Sequence, residues 1–208
     1  MTEKIQETEI KKTRLRLSER LKLVASFVPE GSRIADIGTD HGYVPIYLVE
    51  KGICPKAYAM DINQGPIESA IKNIENYGLS EKIQAIKSNG LEKLEPEKAD
   101  TIIIAGMGGE LIVNILENGL AKLENCSRPV KELVLSPHKR GDLVRKYLEE
   151  HKWHITDEKM LIDMNKFYTI IKAEKGQESY PYSETELLYG RILLDRQDAT
   201  LKKYLDKE

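Results

Sequence analysis

Short apolar runs alternate along most of this chain with amphipathic stretches of helical length. The apolar runs predict strands, which lie at Arg33–Ile37, Ala57–Met60, Ile83–Lys87, Thr101–Ala105 and Glu132–Leu135. The amphipathic stretches predict helices at 17–28 with Ser18 as N-cap, at Tyr43–Lys51, at Pro66–Tyr77, from the Gly106–Gly109 turn to about Leu123, and at Arg140–His151. Strands that alternate with helices predict a parallel sheet covered on both faces.

The pattern changes after the last of these helices. Trp153–Ile162 and Phe167–Ala173 are consecutive strand-like segments with only a short polar connection, so they predict an antiparallel hairpin. Leucines and isoleucines spread along a charged stretch from Ser183 onward predict helices. We therefore expect an α/β fold, with a mostly parallel sheet and an antiparallel last strand. Residues 1–175 would form this domain with its N-terminal helix, and residues 180–208 a small helical C-terminal appendage.

Composition fits an ordinary globular protein. Of 208 residues, 40% are hydrophobic and 32% are charged, and no apolar run approaches the roughly 20 residues that a membrane-spanning helix needs. Cys54 and Cys126 show no metal-ligand spacing, and the N-terminal residues MTEKIQETEI show no apolar leader. We expect a cytoplasmic protein with reduced thiols, no metal and no membrane partner.

Positive charge is concentrated locally although the net charge is −2. The segment Lys11–Lys22 holds six cations against one acid, and His138-Lys139-Arg140 is followed by Arg145-Lys146. Such runs either solvate a helix surface or contact a polyanion such as a nucleic acid. The sequence pattern leaves both alternatives open.

The segment Ile34–Pro45 joins a strand end, a glycine turn and a helix start. It reads D-x-G-x-D-x-G, with acidic side chains at Asp36 and Asp40 where a pyrophosphate would need bare backbone N–H groups. Carboxylates suit the ammonium and sulfonium charges of S-adenosylmethionine, and Gly38 and Gly42 allow a tight turn close to a ligand. The alternative is that these glycines only shape a strand-to-helix turn.

Three further segments follow predicted strands, where ligands bind in doubly wound sheets. Asp61 comes 23 residues after Gly38, which suits a ribose contact, although it could also cap the next helix. Asn89-Gly90 could face an adenine edge, or be an ordinary turn. The glycines of Gly106–Gly109 could leave space for the backbone to contact a flat substrate or the reactive methyl. Alternatively, they could form a strand-to-helix turn that packs closely.

Several motifs together resemble one family, the bacterial tRNA adenine-N1 methyltransferases that act on adenine-22 (the TrmK family). The motifs are RLSERL at 16–21, ADIGTDHGYVP at 35–45, DINQGP at 61–66, SNGL at 88–91 and IAGMGGELI at 104–112, and the likeness continues through the hairpin at 153–175. DIGTDHGY together with IAGMGG is specific. The resemblance implies a class I Rossmann-like methyltransferase fold, S-adenosylmethionine as cofactor, and tRNA as partner and substrate.

The resemblance also implies roles for individual residues. The cofactor-binding residues would be Asp36, Gly38, Asp40, Gly42, Asp61, Asn89, Gly90, Ala105 and Gly106. The substrate-binding residues would be Lys11, Lys12, Arg14, Arg16, Arg20, Met107, Gly108, Gly109, Lys139 and Arg140. Ser136-Pro137-His138 stands where the family typically has Gln-Pro-Asn, so no catalytic role is assigned there.

Asp40 is the expected catalytic residue. Adenine N1 carries a free lone pair, so its attack on the sulfonium methyl needs orientation and a site that tolerates the resulting cation, more than a strong base. Asp40 would stabilise that cation or accept a hydrogen bond from the exocyclic amine. Two other functions remain open: a small-molecule methyltransferase of the same fold, and a cofactor- or RNA-binding module without turnover.

Overall fold

The computed structural model describes residues 15–207, and they form a seven-stranded sheet with helices on both faces. The strands are β1 Arg33–Ile37, β2 Lys56–Asp61, β3 Ile83–Lys87, β4 Thr101–Met107, β5 Glu132–Pro137, β6 Trp153–Asp163 and β7 Lys166–Lys175. Their order is β3-β2-β1-β4-β5-β7-β6. Within the group β1 to β5, all paired strands run parallel to each other, whereas β7 is antiparallel to both β5 and β6. The predicted α/β class is confirmed.

The helices lie where the amphipathic pattern predicts them, with small shifts at their ends. They are α1 Glu19–Ser26, α2 Tyr43–Glu50, α3 Gln64–Asn76, α4 Gly109–Glu124, α5 Gly141–Glu150, α6 Glu184–Tyr189, α7 Arg191–Asp195 and α8 Ala199–Leu205. Ser18 is the N-cap of α1, because its side chain accepts a hydrogen bond from the backbone N–H of Leu21. Helix α3 begins two residues before the predicted start, with Pro66 in its first turn.

Alternating strand residues enter two separate cores, one on each face of the sheet. Ile102 and Ile104 of β4 pack with α4 and α5, while Ile103 between them packs with α1, α2 and α3. All three isoleucines are fully buried. Successive side chains of a strand point to opposite faces, so a strand buried on both faces reads as a continuous apolar run. This explains why β4 was recognisable from the sequence.

Strand β4 extends further than predicted. It includes Gly106 and Met107, which the sequence pattern places in a turn, and its pairing with β5 shifts register between Ala105 and Met107. Met107 pairs with Pro137, so β5 also continues beyond its predicted end at Leu135. The predicted turn at Gly106 is therefore wrong, because cross-strand pairing extends the strand past the glycine.

The three C-terminal helices pack against the larger part of the fold. Arg145 on α5 and Glu158 on β6 form a buried ion pair at 2.7 Å. The Arg145 guanidinium also donates to the carbonyls of Leu187 and Leu188 in α6. Because a buried charge is costly unless it is paired and hydrogen-bonded, this pair fixes α6 to the sheet. The boundary expected between 175 and 180 stays a prediction.

Three general features of residues 15–207 bear on function. No helix in this range is long and apolar enough to cross a membrane. No group of three or more His, Cys, Asp or Glu side chains in the same range is arranged to hold a metal ion. Cys54 and Cys126 are free thiols.

Candidate active site

The candidate residues meet at one edge of the sheet, which we call the carboxyl edge because strands β1 to β4 end there. Ile37 of β1 lies beside Met60 of β2 and Ile104 of β4, and Asp61 of β2 lies beside Lys87 of β3. In-register parallel strands bring the segments that follow them together. This register places the ends of β1, β2, β3 and β4 side by side.

The loop 36–42 follows β1 and depends on its two glycines. Gly38 and Gly42 have φ of +75° and +71°, a region that non-glycine residues rarely adopt. The backbone N–H groups of Gly38 and Thr39 both donate to the carbonyl of Met60, at 2.8 and 2.9 Å. These two amides therefore anchor the loop to β2, and the predicted close approach to a ligand must come from other atoms of the loop.

Asp36 is buried at the base of this loop. Its residue surface is 5% exposed, and its carboxylate accepts a hydrogen bond from the Thr39 hydroxyl at 2.7 Å. The pKa of Asp36 is raised to about 6: burial is the largest cause and the nearby charges of Asp40 and Asp61 add to it, whereas Thr39 and Arg20 oppose the shift. Asp36 thus supports the loop from below and contributes a titratable group near neutral pH.

Asp40 differs from Asp36 in its exposure. Its side chain is 80% exposed, and one carboxylate oxygen lies 3.1 Å from Nε2 of His41. Its charge acts on Asp36, so the two carboxyl groups share one region of the site. Asp40 is therefore available to a ligand, as the catalytic prediction requires.

Asp61 is half-buried at the end of β2, and its Oδ1 accepts a hydrogen bond from the backbone N–H of Asn63 at 2.7 Å. The N-cap of α3 is Asn63, so the alternative that Asp61 caps this helix is wrong. After β3, Asn89 is exposed and Gly90 has φ of +53°. A Cβ on Gly90 would lie 3.1 Å from Ile115, so packing as well as turn geometry demands glycine there.

The turns that follow β4 and β5 are joined by backbone hydrogen bonds. His138 donates to the carbonyl of Met107 at 2.8 Å, and Gly109 donates to the carbonyl of Lys139 at 2.9 Å. A Cβ on Gly109 would collide with the Arg140 carbonyl. Gly109 thus serves close packing between the turns, the alternative that the sequence left open, and it is buried. The Met107 methyl lies over Gly38, which links these turns to the loop 36–42.

The basic residues fall into different environments. Lys11, Lys12 and Arg14 lie outside the described residues. Arg16 is exposed, but Arg20 is half-buried, with its guanidinium carbon 5.1 Å from the ring centre of Tyr168. The Nη1 of Arg20 is buried and meets no hydrogen-bond partner within residues 15–207. A donor of this kind is costly unless a ligand supplies an acceptor.

The cations of the second basic stretch, residues 138–146, also differ in exposure and pairing. Lys139 is exposed, whereas the Arg140 guanidinium forms ion pairs with Asp142 at 3.1 Å and Glu110 at 3.4 Å. Arg145, the next cation, is buried against Glu158. Of the cations in this stretch, Lys139 and Lys146 are exposed and Arg145 is not available to an outside polyanion.

Three residues of the site were missed by the sequence analysis. Thr39 holds Asp36, and its place within the loop 36–42 was a usable signal. Tyr168 and His138 lie together near Arg20, with their ring centres 5.7 Å apart. Tyr168 lies on β7, far from Arg20 along the chain, so nothing local to either residue predicts that they meet.

The strand order and the loops at the carboxyl edge define a Rossmann-like methyltransferase. A family model described as "Methyltransferase domain" matches residues 17–171, and the chain belongs to this class.

Comparison with individual proteins narrows the class. The tRNA (adenine(22)-N(1))-methyltransferase of Bacillus subtilis (strain 168) is 37% identical over 179 residues, which cover 86% of this chain and 74% of that protein. The solved structure of M. capricolum TrmK in complex with S-adenosyl-homocysteine is 30% identical, with a TM-score of 0.74, over 92% of this chain and 88% of that chain. A Streptococcus pneumoniae structure in complex with S-adenosyl-L-methionine is 41% identical, with a TM-score of 0.87, and the match covers 92% of this chain and 87% of that chain. The chain belongs to the TrmK family, the tRNA (adenine-22-N1)-methyltransferases, as its motifs predicted.

Proposed function

We propose that this protein transfers the methyl group of S-adenosylmethionine to N1 of adenine-22 in tRNA. Family membership supports this function, since relatives that span most of the chain are named for it. The observation that carries it to this chain is the meeting of an acidic loop, Asp61 and the Nη1 of Arg20, which has no hydrogen-bond partner within residues 15–207, at the carboxyl edge. From the proposed tRNA substrate we infer a cytoplasmic location.

The charges at the carboxyl edge fit this cofactor. S-adenosylmethionine carries an ammonium, a sulfonium and a carboxylate. Asp36 and Asp40 offer negative charge to the first two, and the buried Nη1 of Arg20 is a donor that suits the carboxylate. Asp61 is the proposed ribose ligand. The other proposed contacts are those of Gly38, Gly42, Asn89, Gly90, Ala105 and Gly106.

The cofactor, when bound, supplies an electrophilic methyl group. The protein's own task is to orient the acceptor adenine, exclude water and tolerate the positive charge that adenine acquires. Asp40 is placed for the last of these tasks, since its carboxylate is exposed beside the loop 36–42. Met107, whose methyl lies over Gly38, and the adjacent Gly108 are proposed to border the acceptor base.

The proposed tRNA contacts are electrostatic. Arg16 and Lys139 are exposed, and with Lys11, Lys12 and Arg14 they would position phosphates. Arg140 would contribute less, because Asp142 and Glu110 already pair with it. Adenine N1 lies on the Watson–Crick edge, so a paired acceptor must be unstacked first, which costs a few kcal/mol.

Labelled cofactor and unmodified tRNA test this proposal. We expect nucleoside mass spectrometry to find the label in N1-methyladenosine. Label in a metabolite from a parallel panel, with none in tRNA, would indicate a small-molecule methyltransferase. Cofactor binding with no transfer to either would indicate a binding module without turnover.

A further inference from the structure

His138 lies at the carboxyl edge and has no role in the chemistry described so far. Its backbone N–H donates to the carbonyl of Met107, whose side chain covers Gly38. Its Nε2 would lie 3.7 Å from a Cβ placed on Gly106, and its ring packs at 57° against the ring of Tyr168. His138 is therefore held between the end of β4 and the hairpin β6–β7.

The surroundings of this imidazole keep it neutral. His138 is exposed as a residue, but partial desolvation of its ring lowers the pKa of His138, and the positive charges of Arg20 on α1 and Lys166 on β7 lower it further, while a hydrogen bond with the Gly106 backbone opposes them. A backbone hydrogen bond that raises the pKa is one in which the ring donates to the carbonyl, because that bond favours the charged form. Nε2 is the ring nitrogen that faces Gly106, so we assign the proton to Nε2 and the lone pair to Nδ1.

Arg20 lies on the same side of the site as His138. Its Nη1 would lie 3.4 Å from a Cβ on Gly106, next to the His138 position, and its guanidinium also packs on Tyr168. Gly106 adds no side chain of its own to this corner. The corner thus places one aromatic ring and one neutral acceptor nitrogen beside Arg20, and the ring and the nitrogen suit a planar base with an amino group.

We propose that the free ring nitrogen of His138 accepts a hydrogen bond from the exocyclic amino group of the acceptor adenine. This inference rests on the proposed function. It gives Asp40 and His138 separate tasks: the carboxylate balances the charge, and the imidazole orients the base so that N1 points toward the methyl group.

The hydrogen bond from the adenine amino group to His138 strengthens as the reaction proceeds. The lone pair of N1 forms the new N–C bond, the electrons of the broken S–C bond return to sulfur, and the positive charge that adenine acquires is shared by its amino group. No proton has to move for this step to balance. A neutral acceptor beside that amino group therefore binds the transition state more tightly than the ground state, which raises kcat more than it lowers KM.

The test compares His138→Ala and His138→Asn with the wild type, measuring kcat and KM for methylation of adenine-22 across pH. His138→Asn keeps a carbonyl acceptor but does not titrate. We expect His138→Ala to lower kcat about tenfold or more with little change in KM, and His138→Asn to retain most of the activity. The wild-type rate should fall as His138 becomes protonated at low pH, and His138→Asn should lack this part of the fall while keeping any part that is due to Asp36, whose pKa is about 6. His151→Asn, a change at an exposed histidine on the far end of α5, is the matched control.

Calorimetric cofactor binding and circular dichroism confirm that each variant is folded. An unchanged kcat in His138→Ala overturns the inference, as does a pH profile of His138→Asn that is identical to that of the wild type. Equal loss in both variants also overturns it, because that result indicates packing alone. A wild-type protein that leaves adenine-22 unmethylated is a different result, since it refutes the proposed function itself.

Discussion

At the scale of single residues, the site depends on two carboxyl groups with opposite environments. Asp40 is exposed and Asp36 is buried. For Asp40→Asn we expect weaker cofactor binding, because the positive groups of the cofactor lose a carboxylate. At saturating cofactor we also expect a methylation rate at least tenfold lower, because the developing positive charge loses its counter-charge. Calorimetry and single-turnover kinetics measure the two effects. Normal cofactor affinity together with a wild-type rate would remove Asp40 from the mechanism.

Asp36 makes stability depend on pH. Because burial raises its pKa from 3.8 to about 6, the folded protein binds more protons than the unfolded chain between these values. The stability that this group contributes is therefore fully present below about pH 4 and is lost as the pH rises through about 6. The free energy of unfolding falls by about 3 kcal/mol in total over this range. Asp36→Asn keeps an acceptor for Thr39 but cannot ionise.

Urea unfolding of the apoprotein at several pH values measures this effect. Relative to the wild type, we expect Asp36→Asn to gain stability steadily between pH 4 and pH 7. A difference between the two proteins that stays constant over this range would show that the pKa of Asp36 is the same in the folded protein as in the unfolded chain.

At the scale of elements, the turns after β4 and β5 act as one unit. Gly109→Ala would place a methyl group against the Arg140 carbonyl and break the bond from Gly109 to Lys139. We expect a loss of about 2 kcal/mol or more in the free energy of unfolding, because backbone atoms on both sides must move. Gly65→Ala is the matched control, since nothing lies within 4 Å of its Cβ position in α3. That change should be neutral or slightly stabilising. Equal effects of the two substitutions in a urea titration would contradict the close packing at Gly109.

The same elements show how far sequence reasoning reaches. The strands, the Ser18 cap and the loop 36–42 were predictable, because apolar period, capping chemistry and glycine turns are local properties of the chain. The extension of β4 through Met107 was not, since it depends on pairing with Pro137. Contacts of Arg20 with Tyr168 and of Arg140 with Glu110 also join distant segments, so no local pattern signals them.

At the scale of the whole molecule, tRNA binding should be driven by exposed cations on a protein of net charge −2. Arg16→Glu and Lys139→Glu are each expected to weaken tRNA binding at low salt and to reduce the slope of log affinity against log salt by about one unit. Lys51→Glu, a change in an exposed cation at the C-terminal end of α2, is the control. Filter binding over a range of salt concentrations measures the slope. If Arg16→Glu and Lys139→Glu keep the wild-type affinity and slope, the proposed tRNA surface is wrong.

The central claim is that one atom of one nucleotide receives the methyl group. The most direct measurement is site-specific mass spectrometry of a tRNA carrying adenine at position 22, beside the same tRNA with guanine there, after incubation with the protein and S-adenosylmethionine. We predict one N1-methyl group on adenine-22 and none on the guanine variant. Methylation at another position, or equal methylation of both tRNAs, would contradict the account.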